Sequence, residues 1–181
     1  MKTVKKISGE DRREHILSLL KESDVPFTGS ELAAKTNVSR QVIVGDISLL
    51  KAKNEPILAT SQGYIYMKNV KPTVNFERTI ACNHLPERTE EELNMIVDHG
   101  VTVKDVKIEH PVYGDLTASI LVSNRKEVSE FMRKVRETKA SYLLELTNGI
   151  HLHTLSASSK KALDDAENAL REANFLIDTI D

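Results

Sequence analysis

His151 and His153 stand on either side of Leu152 in the run NGIHLHTLSA, residues 148–157. The β-favouring residues around them predict a strand, and side chains at i and i+2 of a strand share a face. The two imidazoles therefore project together, with Leu152 expected to turn the other way, into the core. Two imidazoles can share a metal ion, but they make only half a site. The stretch NHLPERTEEEL (83–93) offers the remainder. His84 ends a predicted strand, and the helix after Pro86 carries Glu90, Glu91 and Glu92. Three histidines and one carboxylate suit zinc, nickel or another ion that prefers imidazole. The same pattern also fits surface histidines or hydrogen-bonded core histidines, so the elements that position it matter.

The chain has 181 residues, enough for one large domain or two small ones. Its 40% apolar and 29% charged residues are those of a globular protein. No apolar run approaches a membrane span, and the N-terminus lacks a hydrophobic signal stretch. The single cysteine, Cys82, has no internal disulfide partner; it is expected as packed core, in a cytoplasmic protein. The net charge of −2 hides a division. Residues 1–75 carry 12 Lys and Arg against 8 Asp and Glu, whereas residues 76–181 carry 13 against 19. A basic third joined to an acidic remainder predicts two domains, 1–70 and 76–181, across the polar join KNVKPTVN (68–75).

In the N-terminal third, Ile16, Leu17 and Leu20 mark an amphipathic helix over 9–23. Ser30 is the expected cap of a short second helix, which Asn37 ends in a tight turn. Ser39 caps a third helix with a stripe of Ile43, Ile47 and Leu50, in which Gly45 costs about 1 kcal/mol relative to alanine. ILATSQGYIYM then reads as two short strands around Ser61, Gln62 and Gly63. This order is that of a winged helix-turn-helix. Ser39, Arg40 and Gln41 lie at the exposed start of the third helix, where side chains reach base edges in a major groove. Lys51 and Lys53 are candidates for phosphate contacts. The alternative is a small helical domain for protein contact. ELAAKTNVSRQVIVGDISLLK resembles the helix-turn-helix of biotin-repressor-like bacterial regulators.

The remainder predicts strands at 76–83, 101–110 and 115–122 and helices at 87–100, 123–138 and 159–173. YLLELTNGIHLHTLSA reads as two strands joined at Asn148 and Gly149, and FLIDTI (175–180) as a closing strand. The fold class is α+β, with helices on one face of a mostly antiparallel sheet.

NHLPERTEEEL, IEHPVYGDLTASILV and NGIHLHT, in that order, resemble the 3H domain, named for its three histidines. A winged helix followed by this domain resembles the niacin-responsive repressors of NAD biosynthesis (the NiaR or YrxA type) over nearly the whole chain. That resemblance implies metal ligands at His84, Glu92, His151 and His153, holding one divalent transition metal, zinc or nickel, per chain. It implies a repressor of NAD-biosynthesis or niacin-uptake genes, with double-stranded operator DNA as partner and nicotinic acid as co-repressor. Nicotinate is a flat ring with a pyridine nitrogen and a carboxylate, and either group could fill an open metal position. His110 and Tyr113 are candidates to bond or stack on that ring, and Arg78 to pair with the carboxylate; a strand-end role bonding backbone is equally open to His110. A homodimer held by the 3H domain is expected, because two-fold dimers match paired half-sites. The runner-up from another class is a metal-dependent hydrolase acting on a small pyridine-type substrate, with Glu90, Glu91 or His110 as base. The sequence shows no nucleophile elbow, phosphate loop or second metal cluster, so the expectation is a protein that is not an enzyme.

Overall fold

The computed structural model describes residues 8–68 and 75–177, so most of the join at 68–75 and the end of the expected closing strand lie outside it. The chain divides into two compact units, Met1–Lys71 and Pro72–Asp181.

The N-terminal unit comprises α1 (Gly9–Glu22), α2 (Gly29–Thr36), α3 (Arg40–Ala52) and the antiparallel hairpin of β1 (Ile57–Thr60) and β2 (Gly63–Tyr66). Each helix starts where a hydroxyl can accept a free amide of the first turn. Ser8 caps α1 and Ser39 caps α3, while Thr28, not Ser30, caps α2. Thr28 wins because Glu31 lies three residues on and its carboxylate accepts the Thr28 amide in return, closing a capping box. Asn37 ends α2 in the left-handed conformation. Ile16, Leu20, Leu32, Ile43, Ile47 and Leu50 form the core beneath the three helices. Asp46 is also buried, on the inner face of α3, where Arg12 holds it through Nε at 2.6 Å and Nη2 at 3.2 Å. Removing one member of such a buried pair costs about 3–5 kcal/mol. The pair thus fixes α3 against α1.

The C-terminal unit is a four-stranded antiparallel sheet in the order β3-β6-β4-β5. Its strands are β3 (Phe76–Asn83), β4 (Thr102–His110), β5 (Gly114–Val122) and β6 (Ile150–Ala157). A 3-10 turn, Pro86–Arg88, leads into α4 (Thr89–Asp98); α5 (Arg125–Thr138) follows β5, and α6 (Lys160–Glu172) follows β6. Leu93 and Ile96 of α4, Val128 and Met132 of α5, and Leu163 and Leu170 of α6 pack with Val103, Val122 and Leu155 into one core. Fully burying each such side chain contributes about 1.5–3 kcal/mol.

Two expectations fail here. The segment before β6 is a 3-10 helix, Leu143–Thr147, rather than a strand. β6 already pairs on both edges, with β3 and β4, so no edge is free for a hairpin partner. Leu152 does not enter the core: it is 38% exposed, on the face away from the helices. Parity along β6 was right, but the histidine face is the one the helices cover. Of the expected closing strand, Leu176 forms an isolated bridge with Cys82, and Ile177 N–H donates to the Ala81 carbonyl. No helix among the described residues is long and apolar enough to cross a membrane.

Candidate functional site

Pairing of β3 with β6 sets Cys82 opposite His151 and Ile80 opposite His153, and β4 adds Val106 on the far side of His153. Partners across a ladder share a face, so both imidazoles point under the helices. His84, just beyond β3, reaches the same space from the loop. Glu92, on the inner face of α4, is completely buried and faces all three rings. Its Oε2 lies 2.8 Å from His84 Nε2, 3.3 Å from His153 Nε2 and 3.4 Å from His151 Nε2. Its Oε1 has no hydrogen-bond partner among the described residues, although His151 Nε2 is 3.4 Å away. Neighbouring rings stand edge to face at 4.8 Å, His84 on His151 and His151 on His153.

The other nitrogen of each ring is spoken for. His84 Nδ1 lies 2.8 Å from the Leu85 carbonyl, His151 Nδ1 2.8 Å from that of Gly149, and His153 Nδ1 2.7 Å from that of Asp105. A carbonyl only accepts, so each Nδ1 carries the proton and each Nε2 is turned toward the carboxylate. Two backbone devices make this possible. A bulge in β4 between Val103 and Asp105 breaks the regular ladder, and the Asp105 carbonyl turns to His153. Gly149 adopts φ +98°, and a Cβ there would sit 2.6 Å from the His84 carbonyl oxygen. Only glycine lets the two ligand-bearing loops cross so closely. Neither device was visible in the sequence reading, although the Asn148-Gly149 pair did signal a turn.

Burial disfavours charge on His84 and His153, yet hydrogen bonding and the charge of Glu92 outweigh it and raise both above the ordinary histidine value. Burial likewise opposes the Glu92 anion, but the three rings hold its carboxyl well below the usual range. A carboxylate can only accept, so without a cation at least one Nε2 must carry a proton toward it. Burial first, then the Glu92 charge, pushes the Cys82 thiol up, favouring the protonated form. Cys82, Glu92 and His151 have ligand atoms within 4.8 Å of one another and form a buried group that could hold a metal ion.

Beside His151 and His153 opens a cavity of about 190 Å³, walled by Val106, Ile120, Phe131, Val135 and Leu143. The structure does not bring Arg78, His110 or Tyr113 to it. Arg78 is tied to α6, with Nη2 at 2.7 Å from Asp164 and Nη1 at 2.6 Å from Glu167. His110 Nδ1 accepts the amides of Val112 and Tyr113, closing the β4–β5 turn, the strand-end role left open above. Tyr113 stands exposed at that turn. The three residues that the sequence offered as effector contacts thus lie elsewhere in the unit, Arg78 against α6 and His110 and Tyr113 at the β4–β5 turn.

In the other unit, Ser39, Arg40, Gln41, Lys51 and Lys53 are all exposed, the first three at the start of α3 and the last two at its end. The Arg40 stem lies over Gly29, where a Cβ would be 3.3 Å away. Gly45 opens the outer face of α3, with nothing within 4 Å of a Cβ built there. Asp46 is the residue missed in this unit: an acid in an apolar stripe gave no hint of Arg12, which meets it.

The 3H domain family matches residues 77–179, and an HTH domain matches residues 12–65. Over 173 residues, 95% of this chain and 96% of the relative, the sequence is 63% identical to "Transcription repressor NadR" of Bacillus subtilis (strain 168). Over 178 residues, 98% of each chain, it is 38% identical to "Probable transcription repressor NiaR" of Thermotoga maritima.

Proposed function

The chain belongs to the NadR/NiaR family of transcription repressors, and on that premise we propose a DNA-binding repressor that senses nicotinic acid at a divalent-metal site in its 3H domain. Its relatives are repressors rather than enzymes, which leaves the hydrolase reading without support. The observation that carries the metal reading is the orientation of the rings: three Nδ1 atoms fixed by carbonyls and three Nε2 atoms aimed at one buried carboxylate. Ligating histidines characteristically carry such an Nδ1 partner.

His84, Glu92, His151 and His153 fit one ion of the zinc or nickel kind. With bonds of about 2.1 Å, tetrahedral ligands lie roughly 3.4 Å apart. The Glu92 Oε2 separations from His151 and His153 already match, at 3.4 and 3.3 Å. The direct His84 hydrogen bond, at 2.8 Å, must lengthen by about half an ångström. The alternative group with Cys82 needs a thiolate, which burial and Glu92 oppose. When bound, the ion would supply a Lewis-acidic position for a ligand in the adjoining cavity by taking a fifth ligand beyond its four protein donors. The apolar wall of the cavity holds a flat ring and excludes water, while Glu92 and the carbonyl-anchored rings keep the donors fixed.

The helix-turn-helix implies DNA binding. Arg40 and Gln41 read bases, Ser39 holds the start of α3, and Lys51 and Lys53 meet phosphates. Two copies, paired through the C-terminal unit, match a two-fold operator. Fluorescence anisotropy tests the reading with DNA selected by the zinc-loaded full-length protein from a random pool. Nicotinate is expected to tighten binding with zinc present and to have no effect after chelation. Equal tightening without metal, or conversion of nicotinate into another compound, would overturn it.

A further inference from the structure

Thr89 opens α4 with its side chain buried, 6% exposed, on the wall of the cavity beside His151 and His153. Its hydroxyl oxygen has no hydrogen-bond partner among the described residues. A buried hydroxyl left in that state costs about 1–3 kcal/mol, so it stands out in a fold whose other buried polar groups are largely paired. Glu92 Oε1, three residues on along the same helix, is the second such atom on the same wall. Residues three apart share a helix face, so both polar atoms belong to one side of the cavity.

The rest of the wall selects against large or highly charged ligands. Val106, Ile120, Phe131, Val135 and Leu143 are apolar, Ser141 and Tyr142 add only neutral polar groups, and no lysine or arginine among the described residues lines the cavity. A volume of about 190 Å³ lies below the roughly 300–1,000 Å³ that drug-sized ligands occupy, which suits a single ring and not a dinucleotide. One carboxylate and three neutral imidazoles around a divalent ion leave a net charge of +1 there. A monoanion neutralises it, and a neutral amide does not.

We propose that Thr89 is the residue that selects the effector, its hydroxyl donating a hydrogen bond to a carboxylate oxygen of a small, single-ring aromatic acid seated in this cavity. The proposal rests on the metal- and effector-binding function proposed above. Thr89 is not one of the four residues that would hold the ion, so its effect should fall on the effector.

Calorimetry of the zinc-loaded full-length protein with nicotinate tests it. Thr89→Val keeps the shape and removes the hydroxyl. It should lower affinity about 10- to 100-fold, the range one hydrogen bond to a charged group supplies, with zinc content unchanged. Thr89→Ala should do the same if the valine variant does not fold. Thr89→Ser, which keeps the hydroxyl, should stay within about threefold of wild type. Wild-type affinity in Thr89→Val, or an equal loss in Thr89→Ser, would overturn the assignment, as would loss of zinc. A wild-type protein that takes up zinc but not nicotinate would instead remove the function on which the proposal rests, and Thr89's role with it.

Discussion

Gly149→Ala should damage the C-terminal unit far more than one added methyl group ordinarily does. At φ +98° a side chain is strained, at about 1–2 kcal/mol. The new Cβ would also lie 2.6 Å from the His84 carbonyl oxygen and 2.7 Å from Asn83 Oδ1. The first contact is backbone and cannot rotate away, and forced overpacking of this kind costs about 1–3 kcal/mol. Together these give about 2–5 kcal/mol. For a unit of this size, 1 kcal/mol shifts the melting temperature by roughly 4–8 °C, so the variant should melt roughly 8–40 °C lower. Because the Gly149 carbonyl also orients His151, metal affinity should fall about 10- to 100-fold. Gly100→Ala is the control: its φ is +72°, but nothing lies within 4 Å of its Cβ, so it carries the strain without the clash. Calorimetric melting of the metal-free proteins and competition with a chromophoric chelator give the two numbers. Equal melting temperatures for Gly149→Ala and Gly100→Ala, with unchanged metal affinity, would refute the crossing of the loops described here.

Three further outcomes are expected. His84 and His153 are raised, so their contribution to metal-free stability is full below about pH 6.5 and is lost as pH rises through their folded values; Glu92 is lowered, so its contribution is lost only as pH falls through its own. Metal-free melting temperature should therefore fall as pH rises above about 6.5, and added zinc, for which protons compete, should stabilise more at the higher pH. Leu155→Ala should cost about 2–5 kcal/mol by denaturant unfolding, whereas half-exposed Leu152→Ala should cost about 1 kcal/mol or less. Arg40→Ala should weaken selected DNA by about 1–3 kcal/mol and random DNA much less; an equal loss on both would make Arg40 a phosphate contact.

The sequence made local features legible and left long-range ones hidden. Ser39 capping placed the start of α3 and the stripe of Ile43, Ile47 and Leu50 its buried face, and the extent of β3 coincides with the stretch FERTIACN. The parity of His151 and His153 was readable because a strand alternates. Which face met the helices was not, because Leu152 and the histidines offered conflicting cues about burial. The 3-10 turn at Leu143–Thr147 was read as a strand because its apolar residues resemble one, and only the sheet order shows that no edge was free. The Arg12–Asp46 pair, the β4 bulge and the Arg78–Asp164–Glu167 cluster join residues far apart in the chain. No local pattern encodes them.

X-ray absorption spectroscopy of the zinc-loaded full-length protein tests the central claim most directly. Ligation by His84, Glu92, His151 and His153 predicts one zinc per chain with nitrogen and oxygen scatterers at about 2.0–2.2 Å and the multiple-scattering signature of imidazole. A sulfur scatterer at about 2.3 Å would place Cys82 in the site instead, and the absence of stoichiometric zinc would contradict the metal centre altogether.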